Sequence, residues 1–339
     1  MNDLCLRDKS WHNSHLWEIE CRSQHQGWVQ VTKQTIIDYA VYLVVRIVFA
    51  VIQTLSVRRM EPFCNGLAYL LSDVLKLRHR VIDNNLRIAS PTATQSQINQ
   101  TRRQMWAHLV MMACEVAWSR RRLHLSNWRQ MLDFSTSRYF LRPFLEGRPM
   151  VMVTGHFGNF EIGGYATGLF GIPTITVARP LDNRFLHQYI TQFREMHGQV
   201  MVDKDGTADI IQGHLESNGT LSLVADQFAG ERGCWVNFFG QPTSCHKALA
   251  LFTLANDAPM AVFYTRRTSK PMHFEIGCNG IADPREDGPH LQGVTELTCW
   301  YNERLENAIA GSPEQYWWMH RRWREVPEKI QRRLAKRAA

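Results

Sequence analysis

From Pro149 onward, short apolar runs alternate with amphipathic stretches, and this alternation limits the possible folds more than any other feature of the chain. Candidate strands are 150–154, 174–178, 199–202, 221–225, 260–264 and 272–277. Candidate helices lie at 183–197, 207–217, 245–257 and 293–310. Such alternation predicts an α/β fold, a largely parallel central sheet flanked by helices. Sites in these sheets form beyond the carboxyl ends of the strands. His156 and Asp226 each follow a candidate strand, so both fall where such a site belongs.

The chain upstream of 149 reads differently. Residues 62 to 145 are helical in pattern, with Leu67, Leu70, Leu71, Val74 and Leu75 at helical spacing and Trp106, Leu109, Val110, Ala113 and Ala117 repeating it. Tyr39 to Val57 is apolar except for Arg46, Gln53, Thr54 and Ser56. Its length approaches the roughly 20 residues that cross a bilayer. An arginine at the centre of a span costs about 2.5–3.5 kcal/mol, which tells against a simple crossing. Arg46 and Gln53 lie seven apart on one helical face, which suits a helix lying in the interface or packed against protein. Both a span and an interfacial helix therefore fit. Basic residues gather on the C-terminal side (Arg58, Arg59, Lys76, Arg78, Arg80). If the segment spans, the remainder faces the cytoplasm. No small-residue cleavage site follows the segment, so a signal peptide is disfavoured. The resulting division is a poorly ordered extension at 1–35, a membrane-associated helical region at 36–145, an α/β domain at 146–325 and a basic tail at 326–339.

A net charge of +8 points to anionic partners. The eight cysteines are scattered without a C-x-x-C pair, so neither a zinc site nor a disulfide framework is expected, and a reducing cytoplasmic setting fits best. No recognised nucleic-acid motif is present, and the G-x-S-x-G elbow of an esterase is missing.

The chemistry concentrates in Thr154-Gly155-His156-Phe157-Gly158-Asn159-Phe160-Glu161. A His at a strand end and a Glu five residues on, in the first turn of a helix, can fold back on each other. The carboxylate then fixes the imidazole tautomer and supports the cation formed when the ring accepts a proton. A His and a Glu at that spacing also arise by chance, so the surroundings matter. They include Asn84-Asn85-Leu86, Arg179-Pro180-Leu181-Asp182-Asn183, Asp226-Gln227, Phe238-Phe239-Gly240 and the run from Pro313 to Trp323, Pro-Glu-Gln-Tyr-Trp-Trp-Met-His-Arg-Arg-Trp.

This ordered set, from about Ile36 to about Glu325, resembles the lipid A biosynthesis (late lauroyl/myristoyl) acyltransferases of the lysophospholipid acyltransferase superfamily. The resemblance implies an O-acyltransferase at the cytoplasmic (inner) membrane, anchored near its N-terminus, with its catalytic domain facing the cytoplasm. The donor would be an acyl carrier protein thioester and the acceptor a lipid A precursor or related glycolipid, with membrane phospholipid as surroundings. No cofactor, metal or nucleic acid is implied. His156 and Glu161 match the family's His–acid dyad. Arg179 and Arg194 match arginines expected to bind substrate phosphate or the oxyanion, tasks that suit the planar guanidinium fork. Asp226 could orient Arg194, Arg179 or the dyad, and Gln227 would add an amide donor. Phe238 and Phe239 could line an acyl groove, and Trp317, Trp318, Trp323 with His320, Arg321, Arg322 and Arg324 look interfacial. Two other readings remain: an acyltransferase acting on another glycolipid or aminolipid, phosphatidylinositol mannoside-like, and a non-enzymatic basic membrane-surface protein.

Overall fold

The computed structural model describes residues 32–134, 141–203, 206–268, 270–287 and 291–338, apart from the side chains of Arg58 and 335–338. The proposed N-terminal extension lies, up to residue 31, outside this set. Four helices come first: α1 (Lys33–Thr54), α2 (Val57–Tyr69), α3 (His79–Ala89) and α4 (Gln95–Arg122). Thr94 starts α4 with a capping box, its hydroxyl accepting from the Gln97 N–H while Gln97 reaches back to the Thr94 N–H.

The remainder alternates as expected. It runs β1 (Leu132–Asp133), β2 (Met150–Thr154), α5 (Phe160–Leu169), β3 (Thr174–Val177), α6 (Arg184–Arg194), β4 (Val200–Val202), α7 (Ala208–Glu216) and β5 (Thr220–Val224). Then come β6 (Cys234–Phe238), β7 (Gln241–Cys245), α8 (Ala248–Ala255), β8 (Met260–Arg267), β9 (Phe274–Ala282), α9 (Val294–Ala310) and α10 (Glu328–Ala338). The main sheet has strand order β1-β9-β8-β2-β5-β3-β4. Strands β8, β2, β5, β3 and β4 are mutually parallel, whereas β9 and β1 run the other way. The fold is thus α/β with a mostly parallel sheet. β2 at its centre is buried along its whole length, as expected for a strand covered on both faces.

The sequence pattern missed the hairpin of β6 and β7, whose strands pair Cys234 with Cys245 and Phe238 with Gln241. Phe239 and Gly240 both take positive φ at its tip. That suits a two-residue hairpin turn but lacks the usual Asn-Gly signature. The helix expected from 245 begins at Ala248 because the residues before it are held in β7. Phe238 is fully buried against Trp323 and Phe239 packs on Trp318, so neither aromatic faces an open groove. They serve the core instead.

One core cluster joins Ile82, Leu86, Met105 and Trp106 of the helices with Val151, Val153 and Val262 of the sheet. Helix α1 is long and apolar enough, by length and composition, to cross a membrane. Ile52 is its buried residue, while Ile47 is 63% exposed and Val44 60%. Its polar face packs on protein: Arg46 donates to Tyr42 and lies over Tyr189, and Gln53 donates to the Ala117 carbonyl.

Candidate active site

Strands β2 and β5 are parallel neighbours in register, Thr154 opposite Val224. Two residues past each of these lie His156 and Asp226, so the strand ends bring imidazole and carboxylate together. Asp226 Oδ1 lies 2.7 Å from His156 Nδ1, and its Oδ2 accepts from the His156 backbone N–H at 2.9 Å. The carboxylate is 1% exposed. Burial pushes its pKa up, but the His156 ring and N–H and, more weakly, His320 outweigh this and hold it well below the usual carboxylate range. A carboxylate on Nδ1 leaves Nε2 as the lone-pair atom of a neutral ring.

That Nε2 faces a second histidine. The Gln227 amide lies 3.3 Å from Nε2 of both His156 and His320. The two rings are 4.9 Å apart, and Phe160 and Trp317 complete an aromatic surround. Burial, then the neighbouring His156 and Arg78, push the His320 pKa down to about 4, against the pull of Asp226. His320 is therefore neutral near pH 7.

Glu161 is not on His156. It sits in the first turn of α5 and takes a two-point contact from Arg194 at the end of α6, at 3.0 Å to Nε and 2.5 Å to Nη2. Burial works against the guanidinium charge, but Glu161 overcomes it and holds the Arg194 pKa up. Sequence spacing pointed to a His156–Glu161 contact. The structure instead forms two pairs, His156–Asp226 and Glu161–Arg194, because Asn159 caps α5 and starts the helix between the two motif residues. Asp226 thus orients the histidine and not an arginine. Arg179 stands apart, its side chain 83% exposed and paired with Asp182.

The turn carrying His156 is clamped on both sides. Gly158 donates to the Gln315 carbonyl, Trp317 donates to the His156 carbonyl and Asn159 donates to the Thr265 carbonyl. A Cβ at Gly158, which has φ +60°, would lie 2.0 Å from the Thr265 oxygen, so only glycine fits. Behind the turn, fully buried Glu115 accepts from Asn159 and Arg267. Arg267 also donates to Nδ1 of His108, leaving the Nε2–H of His108 to hold the Gly158 carbonyl. Burial, then Arg267, hold the His108 pKa well below its ordinary value, so this ring stays neutral.

The co-occurrence of the short motifs is thereby explained. Asn85 donates to the Trp318 and His320 carbonyls. Arg322 is buried and donates to the Gln227 and Ser244 carbonyls beneath the Phe238 ring. The C-terminal run was expected at an interface; its Arg322 and Trp318 are core instead. His320 was expected at an interface with the rest of its run and stands instead beside His156; Glu115, His108 and Arg267 carry no local signal that links them to His156. Backbone N–H groups of Phe160 and Glu161, at the open end of α5, find no acceptor among the described residues.

The ionised state of Asp226 carries a pH signature. Its folded pKa lies below the unfolded value of about 3.9, so in the window beneath that value the unfolded chain binds the proton first. Stability contributed by this carboxylate is full above about pH 4 and declines as pH falls further. Asp226→Asn should therefore cost about 1–3 kcal/mol at neutral pH, as a buried bond lost, with the gap to the wild type narrowing between pH 4 and pH 2. Thermal midpoints across that range check this. A gap that widens on acidification contradicts the assignment.

The family described as bacterial lipid A biosynthesis acyltransferase matches residues 30–325. The chain is similar to the lipid A biosynthesis lauroyltransferase of Escherichia coli (strain K12), 24% identical over 273 residues, covering 78% of this chain and 85% of that protein. It also resembles the palmitoleoyltransferase of the same strain, 23% identical over 258 residues, with 75% and 81% covered. A lipid A biosynthesis acyltransferase of Haemophilus influenzae is 26% identical over 182 residues, 53% of this chain and 57% of its own length. Because that family model spans residues 30–325, most of the sequence, this chain belongs to the bacterial lipid A biosynthesis acyltransferases.

Proposed function

We propose that the protein transfers a fatty acyl group from an acyl carrier protein thioester to a hydroxyl of a lipid A precursor at the cytoplasmic membrane surface. The observation that carries the reading is His156, with Asp226 on Nδ1 and its Nε2 turned to the Gln227 amide and the aromatic surround, where an acceptor hydroxyl would displace the long amide contact. Nε2 takes the proton of the acceptor hydroxyl as its oxygen bonds to the thioester carbon. The resulting oxyanion is held by the free N–H groups at the start of α5, where the helix dipole also favours negative charge. The tetrahedral centre then collapses, the C–S bond breaks and the leaving thiolate recovers the proton from Nε2. Every step uses the chain's own groups, and no acyl-enzyme forms.

Glu161 and Arg194 stand beside a place for the chain. An apolar cavity of about 190 Å³ borders Glu161 and is lined by Phe49 of α1, Met112 and Val116 of α4, and Tyr189 and Phe193 of α6. Apolar walls are what an acyl chain requires, and with the exposed apolar side of α1 in a bilayer this opening would lie at the membrane surface. The +8 charge suits an acidic carrier.

Two experiments test the reading. Incubated with an acyl carrier thioester, the protein should release thiol only when a lipid A precursor is present at comparable rate-limiting amounts, and equal release without acceptor speaks against transfer. The intact protein should also sediment with membranes, and removing residues 1–57 should release much of it at high salt, since each basic group near anionic lipid contributes only roughly 1 kcal/mol. Full solubility of the intact chain at low salt excludes the anchor.

A further inference from the structure

Beyond His320 the C-terminal segment borders an open cavity of about 550 Å³, lined by Arg80, Asn84, Asn85, Arg321, Trp323 and Arg324. Arg78, two residues before Arg80, donates to the Met319 carbonyl next to His320. All four guanidinium groups are exposed. None takes part in an ion pair among the described residues. Largely buried arginines such as Arg102, Arg148 and Arg267 are matched by Asp83, Asp283 and Glu115, whereas Arg46, Arg129 and Arg304, like the basin's, are in no ion pair among the described residues. Three unmatched arginines line this one concavity, with Arg78 two residues before Arg80, and such like charges repel in a lone chain. They are what a doubly charged anion needs. Arg324 is preset for the task, its plane over the Phe228 ring at 4.6 Å. The basin also shares its wall with the catalytic centre. Asn85 lines it and holds the His320 carbonyl, while the Arg78 charge acts on the His320 ring.

The arginines that the sequence first suggested for phosphate are engaged otherwise, Arg194 by Glu161 and Arg179 by Asp182. We propose that the basin of Arg78, Arg80, Arg321 and Arg324 binds a phosphate monoester on the head group of the acceptor lipid, placing its hydroxyl at His156. This rests on the acyltransferase reading for the word acceptor only; the anion site stands on its own geometry. Asn84 adds an amide, and Trp323 gives the sugar or glycerol body of the head group an apolar wall. The phosphate could instead belong to the prosthetic arm of the donor, and kinetics separate the two sources.

The test uses the full chain in neutral detergent micelles doped with phosphatidic acid, a phosphate monoester, or with phosphatidylcholine. The wild type should prefer phosphatidic acid. Arg80→Gln with Arg324→Gln should weaken that binding about tenfold or more, the scale of a lost bidentate contact, and His156→Ala should bind as the wild type does. Arg321→Gln provides an independent variant, and thermal midpoints confirm folding of each. In turnover, the double variant should raise the KM for a phosphorylated lipid A precursor and leave that for the acyl thioester where it was. Unchanged phosphatidic acid binding overturns the proposal, as does a rise confined to the thioester KM. If phosphate binding depends on these arginines yet no acyl group is ever transferred, the basin stands and the transferase reading falls.

Discussion

Replacing His156 with alanine is expected to lower acyl transfer by about two orders of magnitude or more, the scale of general-base catalysis. The fold should survive, because the ring stands at a strand end, 14% exposed, and its backbone contacts to Trp317 and Asp226 do not need the side chain. Asp226→Asn should be nearly as damaging, for a different reason. The asparagine amide can donate to Nδ1, which shifts the ring proton to Nε2 and removes the lone pair the mechanism uses. A wrong tautomer of this kind costs about 10⁴ in a comparable serine-protease triad. Because Asp226 acts through His156, the double variant should be scarcely worse than either single one. Rates normalised to folded protein check this. An active, folded Asp226→Asn protein would show that the carboxylate does not set the tautomer.

The second large effect concerns Glu161 and Arg194. The two side chains are 14% and 27% exposed, and each is the other's charged partner. Glu161→Gln strands a largely covered guanidinium, and Arg194→Gln strands a carboxylate beside the apolar cavity. Each change should cost about 1–3 kcal/mol of stability. Each should also cut turnover by about tenfold or more, since a displacement of about 1 Å at a reacting centre is enough for a large loss. Arg194→Lys keeps the charge but not the two-point contact and should recover only part of the activity. A double-mutant cycle should give a coupling of about 0.5–3 kcal/mol between Glu161 and Arg194, and near-additive effects between Arg194 and Asp226. Strong coupling of Arg194 with Asp226 would contradict the pairing.

That pairing marks the limit of what the sequence discloses. The strands were legible because their apolar runs are bounded by turn residues, and the site's location followed from His156 and Asp226 each ending a strand. Their contact was not legible, since it depends on β2 and β5 being neighbours in register, with Thr154 beside Val224. Chain proximity favoured Glu161 over Asp226, yet the Asn159 cap turns Glu161 onto α6 and its Arg194. Two parallel strands whose ends carry a histidine and an acid were the signal that could have found it. Arg322 misled in another way: a cation among tryptophans reads as a membrane surface, but here backbone carbonyls satisfy it inside the core. The β6–β7 hairpin stayed hidden because its turn is Phe239-Gly240 within an aromatic run.

The central claim, that His156 deprotonates an acceptor hydroxyl for direct attack on a thioester, is tested most directly by the mass of the acceptor lipid. The wild type and folded His156→Ala are each given an acyl carrier thioester and a lipid A precursor, and the lipids are weighed by mass spectrometry. The account predicts an acceptor heavier by one acyl group, in step with thiol release, for the wild type and almost none for His156→Ala. Equal acylated product from the two proteins would contradict it.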